Sequence, residues 1–298
     1  MSPQETSPVE VIDAGPGQLE RSPESLQRGR PRSRQRRGLT WVTAIALFVT
    51  EAIKIVSIAP WGRQDISPWN LIFADDFATP IPLGGFLDSE YESRWSAYDG
   101  FADTSGNGMY SSSVISVGGG ALNVYLHTDH SQPLSAAVVP MVDGQWGGKI
   151  YGRYDVRFRS DELPGYKMAF LLWPDTNNWG EGEIDFPEVG SLGKGNSLYA
   201  NIYQKGSSTS GAPGPAVGFT TGTDAAGSGW HTASIEWTPG NVTFLLDGAS
   251  LGTITDGVPD TRMHWVLQME TALDSPPPAV HVAGHIQVDW VRIYNYSQ

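Results

Sequence analysis

The stretch Lys149-Ile150-Tyr151-Gly152-Arg153-Tyr154-Asp155-Val156-Arg157-Phe158 shows the clearest alternation in the chain. One face of it is apolar and the other is charged, with Tyr154, Val156 and Phe158 opposed to Arg153, Asp155 and Arg157. A period of two residues with one apolar face is typical of a β-strand that covers a core on one side only. This stretch therefore predicts an antiparallel sheet with one buried face.

Similar short runs lie on both sides of this stretch, separated by turn residues and without long helical periodicity. The next predicted strands cover residues 121–126, 232–237, 242–246 and 285–294, and Asp247-Gly248 is a hairpin turn signal after the third of them. Many short strands at such spacing predict an all-β fold, a two-sheet antiparallel jelly-roll sandwich.

The composition agrees with that class. Of 298 residues, 40% are hydrophobic and 11% aromatic, which is enough for one large domain or two small ones with a real core. The counts of Gly (35) and Pro (21) are high, as expected for a chain with many turns. Cysteine is absent, which excludes disulfides, thiolate metal sites and thiol nucleophiles.

The charge of the chain restricts its ligands. The formal net charge is −13, and no basic stripe interrupts the acidic excess beyond residue 37. Such a field disfavours nucleic acids and anionic polysaccharides as ligands, whereas a neutral glycan is indifferent to it. The six His residues are scattered, and their closest pairs lack the spacing of a zinc clamp on a strand.

Two segments precede the predicted sandwich. Residues 1–37 are rich in Pro, Ser and Arg and nearly free of large apolar residues, which predicts a disordered basic tail. Residues 38–60 contain an uncharged apolar run directly after Arg36-Arg37, the layout of an export signal. A cleaved signal sequence and a retained membrane anchor both fit this segment, and both predict an extracellular or cell-surface protein. Residues 65–298 are expected to form the catalytic domain.

Glu183, Asp185 and Glu188 lie within six residues of the sequence, between apolar Ile184, Phe186 and Val189. On a regular strand Glu183 and Asp185 share a face, whereas Glu188 points the other way. A β-bulge inserts one residue and turns Glu188 to the same face as the other two acids. Pro187, which cannot donate to the sheet ladder, stands where such an interruption of the ladder is tolerated. With the bulge, three carboxylates converge on one surface and raise one another's pKa values.

Catalysis gives a reason for this costly arrangement. Glycoside hydrolysis with retention uses two carboxyl groups about 5–5.5 Å apart, one as nucleophile and one as acid and then base. The central Asp can hydrogen-bond the nucleophile and separate the two pKa values. A calcium site, or acids that keep an edge strand from aggregating, are the structural alternatives.

The segment Glu183-Ile184-Asp185-Phe186-Pro187-Glu188 resembles the bulged E-x-D-x-x-E signature of glycoside hydrolase family 16, the laminarinase or endo-β-1,3-glucanase type. The resemblance extends over residues 70–298 through segments in the family's order: 75–77, 151–157, 230–232, 236–239, 247–248 and 288–294. It implies a concanavalin A-like fold, with Glu183 as nucleophile, Asp185 as assisting residue and Glu188 as acid/base. The chain departs from many relatives at residues 166–174 and at Tyr203, where a His is frequent, and both departures bear on the substrate.

Five residues around the acids are predicted to bind substrate: Trp173, Trp179, Tyr203, Gln268 and Glu270. Trp173 and Trp179 bracket the approach to Glu183, where sugar rings stack on aromatic faces, although packing in the core is an alternative. Gln268 and Glu270 share one strand face and could bond sugar hydroxyls. The resemblance further implies a structural calcium at Asp289, joined by the carbonyl of Gly120; no cofactor is expected for catalysis.

These observations favour a retaining, endo-acting hydrolase of internal β-linkages in a neutral β-glucan, either β-1,3 or mixed β-1,3-1,4. A transglycosylase on the same scaffold uses the same covalent intermediate, with a sugar instead of water as acceptor. A catalytically silent, lectin-like glycan-binding module is the non-enzymatic alternative, and the intact carboxylates argue against it. A monomer is expected, with a β-glucan polysaccharide or oligosaccharide as partner.

Overall fold

The structure is a computed structural model, and it describes residues 67–206, 211–273 and 275–297. The predicted tail (1–37) and the predicted signal or anchor segment (38–60) lie outside the described residues. Within the described part of the chain, no helix has the length and hydropathy needed to span a lipid bilayer.

The described residues form β-strands and a few single turns of 3-10 helix. The strands are β1 (Trp69–Asp75), β2 (Trp95–Ala97), β3 (Phe101–Ala102), β4 (Met109–Tyr110), β5 (Ile115–Gly118), β6 (Ala121–Asp129), β7 (Gln132–Pro140), β8 (Gly152–Ser160), β9 (Tyr166–Pro174), β10 (Glu183–Val189), β11 (Ser197–Tyr203), β12 (Ala216–Asp224), β13 (His231–Thr238), β14 (Asn241–Leu246), β15 (Ala249–Ile254), β16 (Met263–Thr271) and β17 (Gly284–Tyr296). The 3-10 turns are Glu90–Ser93, Ser112–Val114 and Trp179–Glu181.

Two antiparallel sheets are built from these strands. In the β8 sheet the order is β5-β6-β17-β8-β13-β14-β15, and β1 pairs with the C-terminal half of β17. In the β10 sheet the order is β2-β7-β16-β9-β10-β11-β12. The hairpin of β6 and β7 connects the two sheets. The all-β jelly-roll sandwich predicted from the sequence is confirmed.

The core lies between the two sheets. Tyr154, Val156 and Phe158 of β8 are buried in it, as their alternation predicts. Aromatic pairs join the sheets across the core: Phe158 with Phe170 at 6.0 Å between ring centroids, and Phe186 with Phe244 at 5.6 Å. Full burial of each such side chain contributes about 2 to 3 kcal/mol. The core therefore fixes which face of the β10 sheet is left for solvent.

Some strand bounds differ from the sequence prediction. β8 begins at Gly152 rather than Lys149, because Tyr151 has a φ of 65° and the chain is not extended there. Lys149 instead forms an isolated bridge with Met263. β12 was not predicted, and its residues are mostly exposed at the edge of the β10 sheet, so it has no apolar face to detect.

Candidate active site

β10 presents apolar side chains to the core and acidic side chains to the opposite face. Ile184 and Phe186 are buried in the core cluster. Glu183 and Asp185 are also shielded from solvent, with relative exposures of 8% and 1%, and Glu188 is half-buried. Gly182 precedes them with a φ of 92°, and a Cβ there would lie 2.7 Å from the carbonyl oxygen of Tyr203. Only glycine fits at this entry to the strand.

A β-bulge brings Glu188 to the same face as the other two acids. Asp185 pairs with Asn201 of β11 and Leu171 of β9, and the next pairs are Glu188 with Tyr199 and Glu188 with Ala169. β10 thus advances by one residue more than either neighbour between Asp185 and Glu188. The bulge predicted from the alternation rule is confirmed, and the Phe186-Pro187 peptide within it is cis.

A cavity of about 470 Å³ lies on this face of the β10 sheet, and two of the three acids border it. Its floor is formed by small or apolar side chains of the central strands, namely Ala169, Leu171 and Val266. Glu183 and Glu188 line one side of it. A polar pair above an apolar floor is the arrangement expected of a small-molecule or polymer-binding cleft.

Each acid accepts a hydrogen bond from a side chain outside the trio. The Trp179 indole donates to Glu183 Oε2 over 2.8 Å, and the Asn201 amide donates to Asp185 Oδ2 over 3.0 Å. The Tyr199 hydroxyl donates to Glu188. One oxygen of Asp185 and one of Glu188 are buried without a hydrogen-bond partner among the described residues. These oxygens are available to a proton, a neighbouring carboxyl group or a ligand.

Burial raises the pKa values of all three groups, and repulsion within the trio adds to this for Glu183 and Asp185. Burial is the main cause that raises the pKa of Glu183 to about 7, with the Glu188 charge acting in the same direction. Burial, followed by the charges of Glu183 and Glu188 and a hydrogen bond with Glu183, raises the pKa of Asp185 well above its usual value. Burial also raises the pKa of Glu188, opposed by the Lys167 charge and the Tyr199 hydrogen bond.

Known proteins resemble this chain in sequence and in fold. The family model described as glycosyl hydrolases family 16 matches residues 148–272, which include all three acids. Residues 148–272 are thus similar in sequence to family 16 glycosyl hydrolases. A β-glucanase of Paenibacillus macerans is 29% identical over 150 residues, which are 48% of this chain and 59% of the relative's own length.

Solved structures with the same fold cover more of the chain. The laminarinase from Rhodothermus marinus has a TM-score of 0.62 and 20% identity, and the match covers 77% of this chain and 98% of that one. A variant of LamA from Zobellia galactanivorans, in complex with laminaritriose and laminaritetraose, has a TM-score of 0.59 and 19% identity, covering 76% and 99%. The sandwich of this chain therefore has the same fold as these two structures.

The structure brings four of the five predicted substrate-binding residues to the cavity: Trp173, Trp179, Tyr203 and Gln268. The rings of Trp173 and Trp179 are 6.4 Å apart and inclined by 30°, and Tyr203 meets Trp179 edge-on at 5.3 Å. Trp179 is 41% exposed, so its ring is not a core residue. The aromatic rim lies beside Glu183, where the sequence predicts it.

Glu270 differs from its prediction as a direct sugar ligand. Its alternation with Gln268 is as predicted, but its carboxylate is fully buried and Glu270 does not line the cavity. Lys167 Nζ lies 2.9 Å from Oε1, and the Thr104 amide and the Tyr110 hydroxyl donate to Oε2. With these partners Glu270 belongs to the support beneath the cleft.

Sequence reasoning missed three residues that contact the acids or their partners: Lys167, Tyr199 and Asn201. Tyr199, Asn201 and Tyr203 alternate on β11, the hairpin partner of β10, and that alternation was the available signal. Lys167 stands in an apolar strand, β9, where a charged residue among buried neighbours was also visible in the sequence.

The calcium expectation at Asp289 and Gly120 stays a prediction. Val288 pairs with Leu122, so Asp289, in the middle of β17, lies near the start of β6, which Gly120 directly precedes. The Arg157 guanidinium forms an ion pair with the Asp289 carboxylate, so a cation would have to displace a resident positive charge. No group of three or more His, Cys, Asp or Glu among the described residues could hold a metal.

Proposed function

We propose that the chain is a retaining, endo-acting glycoside hydrolase that cleaves internal β-linkages of a neutral β-glucan, β-1,3 or mixed β-1,3-1,4. The observation that carries the proposal is the convergence of Glu183 and Glu188 on one cavity through the bulge in β10. The family assignment and the β-glucanase relative support the same class of substrate.

Glu183 is assigned as the nucleophile, because its carboxylate is oriented by the Trp179 indole and by the proton of Asp185. Asp185 is the assisting residue: as a buried neutral acid it donates a hydrogen bond without adding a second negative charge. Its proton favours the ionised form of Glu183, which attack on the anomeric carbon requires.

Glu188 is assigned as the acid/base. Burial raises its pKa, so it can hold a proton for the leaving oxygen and later take one from water. The substrate oligosaccharide or polysaccharide would stack on Trp173 and Trp179 and contact Tyr203 and Gln268 along the cavity.

The test is digestion of laminarin, lichenan, curdlan, agarose and xyloglucan with the full chain. We expect oligosaccharides from laminarin or lichenan, with the β-anomer formed first in proton NMR because two displacements retain configuration. Initial formation of the α-anomer would rule out the proposed mechanism. Binding of oligosaccharides without cleavage would favour the lectin-like module, and capture of products by added sugar acceptors would favour the transglycosylase.

A second test separates the two glutamates. An aryl glycoside with a good leaving group needs no proton, so Glu188→Gln is expected to retain glycosylation of the enzyme on it and Glu183→Gln is not. If both variants behave alike on such a substrate, the assignment of roles is wrong.

The proposal includes export of the protein, because the enzyme would encounter its polysaccharide substrate outside the cell. Residues 38–60 are proposed to direct the domain to an extracellular or cell-surface position, as a cleaved signal or an anchor. Fractionation of expressing cells, followed by protease treatment of intact cells, measures where the domain lies.

A further inference from the structure

Lys167 is a buried cation without an assigned role in the proposed reaction. It lies on β9 with a relative exposure of 6%, and its ammonium group lines the cavity together with Glu183 and Glu188. A lysine removed from water is costly unless it is paired. The fold gives no packing reason for a charge at this point of an otherwise apolar strand.

Glu270 holds the ammonium group in place. Lys167 pairs with Glu270 in the register of β9 and β16, and Nζ lies 2.9 Å from Oε1. The other carboxylate oxygen is fixed by the Thr104 amide at 3.0 Å and by the Tyr110 hydroxyl. The cation is thus anchored from a second strand and a loop, and its position relative to the cavity is fixed.

The register places this cation beside Glu188. Glu188 pairs with Ala169, and Lys167 stands two residues before Ala169 on the same strand and the same face. Such diagonal neighbours on adjacent strands are about 7 to 8 Å apart at Cα, within reach of long side chains. Lys167 is the cation among the residues that line the cavity.

The groups that face Glu188 come from its own strand, where Glu183 and Asp185 are coupled to it, and from three other strands. Lys167 on β9 lowers the pKa of Glu188, Tyr199 on β11 lowers it through a hydrogen bond, and Glu270 on β16 raises it. Lys167 likewise lowers the pKa of Glu183. Lys167 and Glu270 therefore act in opposite directions on the same carboxyl group.

We propose that Lys167 is a positioning residue of the candidate active site: its ammonium group, fixed by Glu270, determines up to which pH Glu188 carries the proton that the leaving oxygen needs. The proposal rests on the proposed function, in which Glu188 is the acid/base. It assigns to the Lys167–Glu270 pair an electrostatic task in addition to its packing.

The test is the pH profile of kcat/KM for Lys167→Met and Glu270→Gln, measured with the full chain. Loss of the cation moves the basic limb of the profile to higher pH by about one unit, because Glu188 then keeps its proton longer. Loss of the anion moves the same limb to lower pH. A role in packing alone would lower activity in both variants without moving the limb in opposite directions.

The double variant Lys167→Met/Glu270→Gln leaves no unpaired buried charge, so it folds even if a single variant does not. We expect its basic limb above that of the native chain and below that of Lys167→Met. Lys205→Met is the matched control, because it breaks an ion pair of 2.7 Å with Asp260 that is about half exposed, and it leaves the profile unchanged.

The outcomes separate the two proposals. A native chain that cleaves none of the β-glucans overturns the proposed function itself. A native chain that is active, with variants whose basic limbs stay in place or move in the same direction, overturns only the role of Lys167. Where a single variant does not fold, a basic limb that stays in place in the double variant also overturns the role of Lys167.

Discussion

Two groups of acids with little exposure lie on or beside the β10 sheet, and they differ in their hydrogen bonds; Asp103 of the first group stands on the loop between β3 and β4. Asp103 and Glu270, at one end of the cleft, are 4% and 0% exposed. Asp103 accepts from the Thr271 amide and hydroxyl at 2.9 and 2.7 Å and from the Gly108 amide at 3.1 Å. In the second group, Glu183, Asp185 and Glu188 are close to one another, and two of their oxygens have no hydrogen-bond partner.

The difference separates structural from reactive carboxylates. A buried carboxylate that accepts several hydrogen bonds stabilises the folded state, whereas buried carboxylates that repel one another destabilise it. The second group is therefore expected to destabilise the fold, and the proposed function gives a reason for its presence. Substitution of an acid should therefore lower the stability of the protein in the first group and raise it in the second.

The largest expected effect is on activity. Glu183→Gln and Glu188→Gln should each lower kcat/KM on the natural polysaccharide by about 10³-fold or more, since each removes one of the two groups on which the displacement depends. Asp103→Asn is the matched change in the bonded group, and the folded variant should retain most of its activity. Kinetics on soluble β-glucan, scaled to the folded fraction from circular dichroism, measure both. Native activity in either Gln variant would remove the distinction between the groups.

The next effect is on stability, and it concerns Asp103. Asp103→Asn replaces a carboxylate acceptor by an amide that must turn one N–H toward a donor, so about 1 to 3 kcal/mol of unfolding free energy should be lost. Urea unfolding at pH 7 gives this number directly. A variant as stable as the native chain would show that the bonded group does not stabilise the fold.

Glu183→Gln should change stability in the opposite direction. The folded-state pKa of Glu183 is about 7, above its usual value of 4.5, so the folded state binds the proton more tightly than the unfolded state. The native chain therefore loses stability as pH rises from about 4.5 through 7, whereas the Gln variant does not. The variant should be more stable by about 1 to 3 kcal/mol at pH 8 and by little at pH 4. An advantage that grows toward low pH would contradict the sign.

The sequence predicted the parts of this molecule that follow from local pattern. The alternation at Tyr154, Val156 and Phe158 identified the core face of β8, and the odd separation of Glu183 and Glu188 required the bulge that the register shows. Both inferences need only the period of a strand and the hydrophobic effect.

What the sequence could not predict depends on contacts between distant strands. Glu270 and Gln268 alternate identically, yet only the structure shows that Tyr110 and Lys167 enclose Glu270 and leave Gln268 at the cavity. The role proposed for Lys167 likewise depends on Glu270, which lies about a hundred residues later in the chain. Strand order determines which distant residues come into contact, and local periodicity does not encode it.

The smallest expected effect concerns the hydrogen bond from Trp179 to Glu183. Trp179→Phe keeps an aromatic ring at the rim but removes the N–H that lies 2.8 Å from the carboxylate, so the pKa of Glu183 should rise further. The acidic limb of the kcat/KM profile should then move to higher pH by about half a unit, because the nucleophile must be ionised. Trp173→Phe is the matched control, since its indole donates to Asn177 at 2.9 Å and not to an acid of the site. It should weaken substrate binding without moving the limb, and equal shifts in the two variants would mean that the rim acts on Glu183 through burial rather than through this one bond.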